Sequence, residues 1–241
     1  MDTRNNMKAF VLAAGLGTRL KPLTDTTPKP MLKVGDKPLL EHQLLWLRSH
    51  GVTEIIMNLF YFPDQIEGYF GNGERFGLKI RYILEKDLSG TAGPITKAQD
   101  FFNEKFFVIY GDNLTNINLT KLLDFHESKK GIATIALYYE KHPESKGIVE
   151  LDKNARVISF KEKPPTDEIT SHWANTGIYV CNPEIIQHIP EGFCDFGRDL
   201  FPALLTQNLP LFGYKTDDFL LDIGTHENYE KAKNEIKNMD F

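Results

Sequence analysis

The sequence predicts an α/β fold: one domain with a mixed, mainly parallel central sheet flanked by helices. Short apolar runs alternate with helical patterns over the first two thirds of the chain, as in strands joined by crossover helices. The length of 241 residues is enough for one large α/β core. The composition, 41% hydrophobic and 25% charged, excludes disordered, collagenous and membrane-spanning chains.

The first part of the chain contains five strand-like runs and four helical patterns. The strands are predicted at residues 8–13, 54–59, 78–84, 106–110 and 132–139. The crossover helices are predicted at residues 39–47, 64–70, 91–101 and 119–129. Asn118 or Thr120 is the expected N-cap of the last helix.

The pattern changes after residue 140. Residues 147–151 and 157–161 flank the turn Asp152-Lys153-Asn154, which predicts a hairpin. Further strands are predicted at residues 173–181 and 211–215, and helices at 183–188, 198–205 and 226–237. We expect this part to elaborate the same sheet, because no repeat or low-complexity linker separates it from the rest.

Charge and cysteine content narrow the function. The net charge is −5, from 28 Lys and Arg against 33 Asp and Glu, so the chain is a poor candidate for binding nucleic acid. Cys181 and Cys194 form no C-x-x-C motif, and we expect buried thiols in a cytoplasmic protein. The apolar run at residues 9–14 is too short to span a membrane, and residues 1–6 form a polar, optional start.

A glycine-containing loop follows the first predicted strand. It contains Gly15, Gly17, Thr18 and Arg19, and Lys29 follows between two prolines. Glycines after a parallel strand let backbone N–H groups approach a phosphate. Neither G-x-G-x-x-G nor the Walker A pattern is present. Five basic and two acidic residues between positions 19 and 37 give a local charge of +3, which favours a polyphosphate site.

This loop, together with Pro28-Lys29-Pro30, resembles the signature of the sugar-nucleotidyltransferases. These enzymes join a nucleoside triphosphate to a sugar 1-phosphate and release pyrophosphate. Four further motifs match the family in order: Gly111-Asp112-Asn113, Glu162-Lys163-Pro164, Asn175-Thr176-Gly177-Ile178-Tyr179 and Asp222-Ile223-Gly224. The resemblance implies one Rossmann-like domain over residues 1–241. Its nucleotide-binding part would cover residues 7–140, and its sugar-phosphate-binding part, with a small β elaboration and C-terminal helices, residues 141–241.

The resemblance also implies roles for individual residues. Arg19 would hold the β- and γ-phosphates, Lys29 the α-phosphate, and Lys163 the sugar phosphate. Asp112 and Asp222 would bind Mg²⁺ and complete the catalytic set. The other nucleotide-binding residues would be Leu12, Ala13, Ala14, Gly15, Gly17, Thr18, Glu85, Gly90 and Thr91. The sugar-phosphate site would add Asn113, Gly147, Glu162 and Asn175.

The chemistry of the implied reaction suits these residue types. In-line displacement at the α-phosphorus needs no protein nucleophile; it needs two anionic reactants held together and their charge neutralised. Mg²⁺ is commonly held by one or two carboxylates plus substrate oxygens, so two aspartates are adequate. Taken alone, Asp112 fits an ordinary turn residue, Asp222 an N-cap and Lys163 a solvated charge.

The segment Gly90-Thr91-Ala92-Gly93-Pro94, with Glu85 before it, resembles the mannose-1-phosphate guanylyltransferases. The resemblance therefore implies GTP and mannose 1-phosphate as substrates. Leu88-Ser89 and Lys146 depart from that pattern. Glucose-1-phosphate thymidylyltransferase and enzymes acting on heptose or amino-sugar 1-phosphates remain as alternatives.

Two other classes of function compete with this interpretation. A non-catalytic sensor of sugar nucleotides would share the fold, but the implied catalytic cations and carboxylates are all present. A metal-dependent glycosyltransferase would be expected to carry Asp-x-Asp, which is absent from the sequence. We expect small-molecule substrates and no nucleic-acid or membrane partner. The sequence does not determine the oligomeric state and is compatible with a homo-oligomer. From the length of 241 residues we also expect no left-handed β-helix of the kind found in longer members of the family that the sequence resembles.

Overall fold

The computed structural model describes residues 6–238. In chain order the strands are β1 (Met7–Leu12), β2 (Lys33–Val34), β3 (Lys37–Pro38), β4 (Val52–Leu59), β5 (Lys79–Leu84), β6 (Phe106–Tyr110), β7 (Asn113–Thr115), β8 (Ala133–Tyr139), β9 (Gly147–Leu151), β10 (Val157–Glu162), β11 (Trp173–Cys181), β12 (Leu211–Lys215) and β13 (Leu220–Asp222). The α-helices are α1 (Leu39–Ser49), α2 (Pro63–Phe70), α3 (Leu119–Lys129), α4 (Phe201–Thr206) and α5 (His226–Glu235). The predicted fold class is confirmed: the central sheet is mixed, with mainly parallel strands, and helices flank it.

The chain divides into two compact units. The first contains the described residues up to Leu88, the segment Ile109–Ile117, and the described residues from Asp218 onward. The second contains Ser89–Val108 and Asn118–Asp217. Three separate stretches of the chain therefore build the first unit, and two build the second.

Parallel strands form the centre of the first unit. β1 and β5 both pair in parallel with β4, in a register that aligns Leu12 with Asn58. Ala9, Phe10 and Val11 in β1 are all fully buried, as expected of a parallel strand covered on both faces. The register brings the ends of β1 and β4 to the same edge of the sheet, where open α/β sheets bind ligands.

A short antiparallel pair lies next to this edge within the first unit. β7 pairs with β13 so that Asn113 is opposite Asp222, and Leu114 is opposite Leu221. Leu114 and Leu221 belong to a small buried cluster that also includes Val34 and Ile223. Helix α5 covers this cluster through Ala232. Hydrophobic burial thus fixes the position of both carboxylate-bearing segments.

The second unit is mostly antiparallel. β9 and β10 form the predicted hairpin, with Glu162 opposite Gly147. β11 pairs antiparallel with β8, and β12 pairs with β8 in parallel. This unit therefore makes the sheet mixed.

The predicted strands and most predicted helices are confirmed to within about two residues at each end. Helix α3 has the predicted bounds, and the Asn118 side chain caps it by accepting from the Lys121 N–H at 2.9 Å. The short strands β2, β3, β7 and β13 were not predicted, since two or three residues give no periodic signal.

Three predicted helices were wrong in type or boundary. The helix expected at 183–188 has those bounds but is a 3₁₀ helix. The helix expected at 91–101 is a 3₁₀ helix over Gly93–Phe101, because the residues before it bond to another backbone segment. The helix expected at 198–205 begins earlier, with a π-helical turn over Phe196–Leu200, and continues as α4. Asp195 sets this start, since its side chain accepts from the N–H groups of Gly197 and Arg198.

The structure shows the state of the two cysteines and the length of the helices. Cys181 and Cys194 are both buried and free, as predicted. Burial raises the pKa of the Cys181 thiol, and raises that of Cys194 to about 11, so both stay protonated at neutral pH. None of the helices within residues 6–238 is long and apolar enough to cross a bilayer. The expected polar start at residues 1–6 lies, apart from Asn6, outside the described residues.

Candidate functional site

The loop after β1 presents exposed backbone. Gly15 and Thr18 are exposed, and a Cβ added at Gly15 would meet no atom within 4 Å. Gly17 has φ +63° and packs tightly, since a Cβ there would lie 2.9 Å from Thr24 Cγ2 and 3.1 Å from Lys29 Cβ. Thr24 Oγ1 also donates to the Gly17 carbonyl at 2.9 Å. Gly17 therefore fixes the loop, and Gly15 leaves space for a ligand.

Lys29 is a buried cation between two carboxylates. Its side chain is 9% exposed, and Nζ lies 2.7 Å from Asp112 Oδ2 and 3.6 Å from Asp222 Oδ1. The two aspartate side chains are 33% and 28% exposed, so one side of each remains open to solvent. Pro28 and Pro30 restrict the backbone on both sides of the lysine. The predicted grouping of Lys29, Asp112 and Asp222 is present in the structure.

The local fold explains how these distant residues meet. Asp112 follows the end of β6, and Asp222 is the last residue of β13. The Ile223 N–H donates to the Asp112 carbonyl at 2.9 Å, which joins the two segments directly. Thr225, and not Asp222, is the N-cap of α5: its side chain accepts from the Asn228 N–H. Asp222 is thus available for a role other than capping.

Arg19 lies near the same carboxylates. A Cβ added at Gly224 would be 2.7 Å from Arg19 Nη2 and 2.9 Å from Asp222 Oδ1. Gly224 therefore makes the room in which the guanidinium and the carboxylate approach one another. Arg19 is itself exposed, so its guanidinium is accessible to a ligand.

The donor set of Asp112 and Asp222 fits a magnesium ion. Two carboxylates already converge on one ammonium group, and Mg²⁺ commonly takes one or two carboxylates together with water and phosphate oxygens. Among residues 6–238, no group of three or more His, Cys, Asp or Glu side chains has the geometry of an all-protein metal site. Such a site would suit a metal that arrives with a nucleotide.

A buried polar chain supports the end of β1 in the first unit. The Ala13 N–H donates to Asn58 Oδ1 at 3.0 Å, and Asn58 Nδ2 donates to Glu85 Oε1 at 2.7 Å. Asn58 and Glu85 are 2% and 3% exposed. Ala13 and Glu85 were expected in the nucleotide pocket, and Asn58 was not, although a polar residue near the end of an apolar strand is a signal for such a role. Leu12 and Ala14 lie beside Ala13, at the end of β1 and just after it.

Gly90 and Thr91 belong to the second unit and have structural partners there. Gly90 has φ +83°, and a Cβ on it would lie 2.3 Å from the Cys194 carbonyl oxygen. Thr91 Oγ1 donates to Asp195 Oδ2 at 2.9 Å and accepts from the Phe196 N–H at 2.9 Å. The small residues of this segment are therefore required by close backbone packing, a reason that the sequence analysis did not identify. Asn113, expected in the sugar site, belongs to the first unit and is 3% exposed.

Glu162 is the central carboxylate of the second unit. Its Oε2 lies 2.7 Å from the position of a Cβ on Gly147 and 2.8 Å from that of a Cβ on Gly197, so both glycines make space for it. Burial raises the pKa of Glu162, and the nearby Lys163 opposes that shift. The positive charge of Lys163 lies 3.9 Å from Glu162 Oε1.

Lys163 and Asn175 are the remaining predicted sugar-site residues. Lys163 has φ +50°, an uncommon conformation for a side-chain-bearing residue, and its N–H donates to the Lys146 carbonyl at 3.0 Å. Asn175 Nδ2 donates to Tyr179 Oη at 2.9 Å, and Oδ1 accepts from the Gly177 N–H at 2.9 Å. The Asn175 side chain is therefore held in a defined position within the second unit, whereas at Lys163 it is the backbone that is fixed.

Comparison with known proteins agrees with this geometry. The family model described as nucleotidyl transferase matches residues 8–239. The chain belongs to the nucleotidyl transferase family.

Relatives within the family act on different nucleotides. The chain is 40% identical to a UTP–glucose-1-phosphate uridylyltransferase from Synechocystis, over 97% of this chain and 65% of that protein. It is 36% identical to a mannose-1-phosphate guanylyltransferase from Mycobacterium tuberculosis, over 96% of this chain and 65% of that protein. The chain thus spans 65% of the length of these two curated relatives.

A solved structure shares the fold over nearly the whole chain. It is that of a Bacillus anthracis protein assigned as a glucose-1-phosphate thymidylyltransferase, in complex with sucrose. The TM-score is 0.88 and the identity is 26%, with 98% of this chain and 97% of that chain covered. The central sheet and its helices are therefore those of the nucleotidyl transferase fold.

Proposed function

We propose that this chain is a sugar-1-phosphate nucleotidyltransferase that makes a nucleoside-diphosphate sugar and pyrophosphate. The observation that carries the proposal is the buried Lys29 ammonium held between Asp112 and Asp222. Burying an ion pair is costly, and replacing one with apolar residues often stabilises a protein, so its presence points to function. We propose that residues 1–241 form one catalytic domain.

The proposed mechanism uses the first unit for the nucleotide. Exposed backbone N–H groups of the loop after β1 bind phosphate oxygens, and Arg19 neutralises the leaving β- and γ-phosphates. Lys29 contacts the α-phosphate, where charge develops as the bond to the leaving group breaks. Asp112 and Asp222 would hold Mg²⁺, which supplies Lewis-acid stabilisation of the phosphate oxygens when bound.

The second unit is proposed to bind the sugar 1-phosphate. Lys163 attracts its phosphate, and Glu162 and Asn175 accept from or donate to sugar hydroxyls beside Gly147. The attacking oxygen belongs to the sugar phosphate, so the protein provides binding and charge and forms no covalent intermediate.

We propose GTP and mannose 1-phosphate as the substrates. The Mycobacterium tuberculosis relative is named for these substrates. The buried Glu85 supports guanine on chemical grounds, because a carboxylate accepts hydrogen bonds and the Watson–Crick edge of guanine presents two N–H donors. The same edge of uracil or thymine presents one N–H donor between two carbonyl oxygens. A carboxylate oxygen is repelled by these carbonyl oxygens, because all of them are acceptors.

The second candidate is a glucose-1-phosphate uridylyltransferase. The Synechocystis relative, at 40% identity, favours it. Pyrophosphate release measured with GTP, UTP, dTTP, CTP and ATP, each against mannose, glucose, heptose and amino-sugar 1-phosphates, separates the two. Turnover with UTP and glucose 1-phosphate in place of the GTP reaction would replace the first candidate. Binding of a sugar nucleotide, without turnover in any combination of substrates, would indicate a non-catalytic sugar-nucleotide sensor.

Glu85→Gln tests the base assignment. An amide offers one donor and one acceptor, so we expect kcat/KM for GTP to fall about tenfold or more and the ratio of UTP to GTP turnover to rise. Asp87→Asn, an exposed acidic residue two positions further on, is the control. An unchanged nucleotide ratio in Glu85→Gln would remove this residue from base recognition.

A further inference from the structure

We infer that Gln43 is a positioning residue that holds Asp112 in its active geometry, an inference that rests on the proposed metal-dependent function. Gln43 lies on the inner face of α1 and is 2% exposed. It belongs to no motif of the sequence analysis. Its partners in the structure place it directly behind the Asp112 loop.

The side-chain amide of Gln43 binds the backbone on both sides of that loop. Nε2 donates to the Tyr110 carbonyl at 2.9 Å and to the Asn113 carbonyl at 2.6 Å. These two carbonyls flank Gly111 and Asp112, which connect β6 to β7. One NH₂ group thus fixes the start and the end of the segment that carries the carboxylate.

The rest of the loop backbone is held from other directions. The Gly111 N–H donates to the Leu12 carbonyl at 2.9 Å, and the Asp112 carbonyl accepts from Ile223 at 2.9 Å. A Cβ on Gly111 would lie 2.6 Å from the Leu12 oxygen, so the loop has no room to shift towards β1. Gln43 supplies the restraint on the side of α1.

The chemistry of the position requires an amide. Both partners are carbonyl oxygens, so the group that faces them must donate two hydrogen bonds from one atom. An amide flip would put Oε1 against both carbonyls, which fixes the orientation of Gln43 without reference to hydrogen positions. Oε1 is buried and finds no hydrogen-bond partner among the described residues. Leaving a buried acceptor unsatisfied is costly, and that cost indicates that the two donated bonds are retained for function.

The inference predicts a specific defect in Gln43→Met. Methionine has nearly the same length and volume, so packing is retained while both donated bonds are lost. We expect kcat to fall about tenfold or more and the Mg²⁺ concentration for half-maximal rate to rise several-fold. KM for the sugar 1-phosphate should change less than kcat does, because Glu162, Lys163 and Asn175 belong to the other unit.

Trp46→Phe is the matched control. Trp46 lies on the same helix, is 3% exposed, and donates a single bond to the Ile117 carbonyl at 3.0 Å, beyond the Asp112 loop. Its loss should lower the melting temperature comparably and leave the Mg²⁺ dependence unchanged. Gln43→Asn, which keeps the amide but is one methylene shorter, provides a second variant if Gln43→Met does not fold, and the same defect is expected.

Direct binding of Mn²⁺ in the presence of GTP, followed by electron paramagnetic resonance, gives a readout independent of turnover. Weaker Mn²⁺ binding in Gln43→Met than in Trp46→Phe supports the inference. Equal Mn²⁺ affinity and equal Mg²⁺ dependence in the two variants overturn it, even with an active wild-type enzyme. Absence of both turnover and Mn²⁺ binding in the wild type would instead refute the proposed function, and the positioning role with it.

Discussion

Lys29 is a buried cation of the first unit whose charge must be compensated. It is 7% exposed as a whole residue, and such a cation is stable only beside compensating charge. Asp112 and Asp222 provide that charge at 2.7 and 3.6 Å. The three side chains form one group, and a change in any of them alters the environment of the other two.

Asp112→Ala and Asp222→Ala should each reduce kcat at least about a hundredfold, which is the effect of removing one charge-stabilising group. The Mg²⁺ requirement of the residual activity should rise, because half of the carboxylate donor set is gone. Steady-state rates over a Mg²⁺ titration measure both effects. Asp36→Ala, at an exposed turn of the same unit, is the control and should behave as wild type. Near-normal activity of Asp222→Ala at limiting Mg²⁺ would exclude that residue from the metal site.

Glu162→Gln should stabilise the protein while lowering its activity. Burial raises the pKa of Glu162, so the charged form costs folding free energy once the pH exceeds the unfolded value of 4.5. Wild-type stability from this group is greatest at low pH, where the carboxyl is neutral, and is lost as the pH rises through the folded pKa. We expect the variant to melt at a higher temperature at pH 7.5, with a difference that shrinks towards pH 4. An unchanged or lower melting temperature at pH 7.5 would contradict this account.

Part of the candidate site could be predicted from residue types alone. Arg19, Lys29, Asp112 and Asp222 stand in motifs whose charge pattern indicated phosphate and metal chemistry, and the structure brings the last three together. Gln43 could not be predicted, because a helix position gives no information about which distant carbonyls it will meet.

Among the elements, the turn segments contain the tightest backbone packing. Around Gly90 the chain approaches Cys194 closely, with N–H groups of Ala92 and Gly93 both donating to its carbonyl. Helix α2 is the opposite case, since a Cβ added at Gly68 would meet no atom within 4 Å. The two glycines therefore have different physical reasons to be present.

Gly90→Ala should destabilise the protein by about 2–4 kcal/mol, from the clash with Cys194 and the strained φ. Gly68→Ala should stabilise it by about 0.5–1 kcal/mol, because alanine is the better helix former at an exposed position. Urea unfolding of both variants measures the two changes. The same sign in both would show that local space does not decide them.

The elements that bear periodic patterns were predicted well, and the irregular ones were not. β6 and α3 have the predicted bounds, because buried strands and capped amphipathic helices carry local signals. The strand β13 escaped prediction, since its three residues gain their structure from pairing with β7. The start of the 3₁₀ helix at Gly93–Phe101 bonds to the Cys194 carbonyl, a tertiary contact that no local pattern encodes. The π turn at Phe196–Leu200 begins at a local cap by Asp195, which was not predicted.

At the scale of the whole molecule, the division into two units corresponds to the proposed division of substrates. Arg19, Lys29, Asp112 and Asp222 belong to the first unit, and Glu162, Lys163 and Asn175 to the second. Two assignments depart from this division: Gly90 and Thr91 belong to the second unit although the resemblance assigned them to the nucleotide, and Asn113 belongs to the first although it was assigned to the sugar phosphate. Ligand binding can therefore be tested for each unit separately.

Lys163→Ala should retain the thermal stabilisation produced by GTP with Mg²⁺ and lose that produced by mannose 1-phosphate. Lys29→Met should show the reverse. A ligand at about 100 times its Kd contributes about 2.7 kcal/mol, which a thermal melt detects readily. Loss of both responses in both variants would argue against separate binding roles for the two units.

The first unit is assembled from an early, a middle and a late stretch of the chain. During synthesis, the residues of the β1 loop and Lys29 leave the ribosome long before Asp222 does. Until then the nascent chain contains Lys29 without the carboxylate of Asp222, and β7 without its partner strand β13. Completion of the first unit must wait until β13 has been translated, so ribosome pausing before β13 should leave chains that chaperones and proteases recognise.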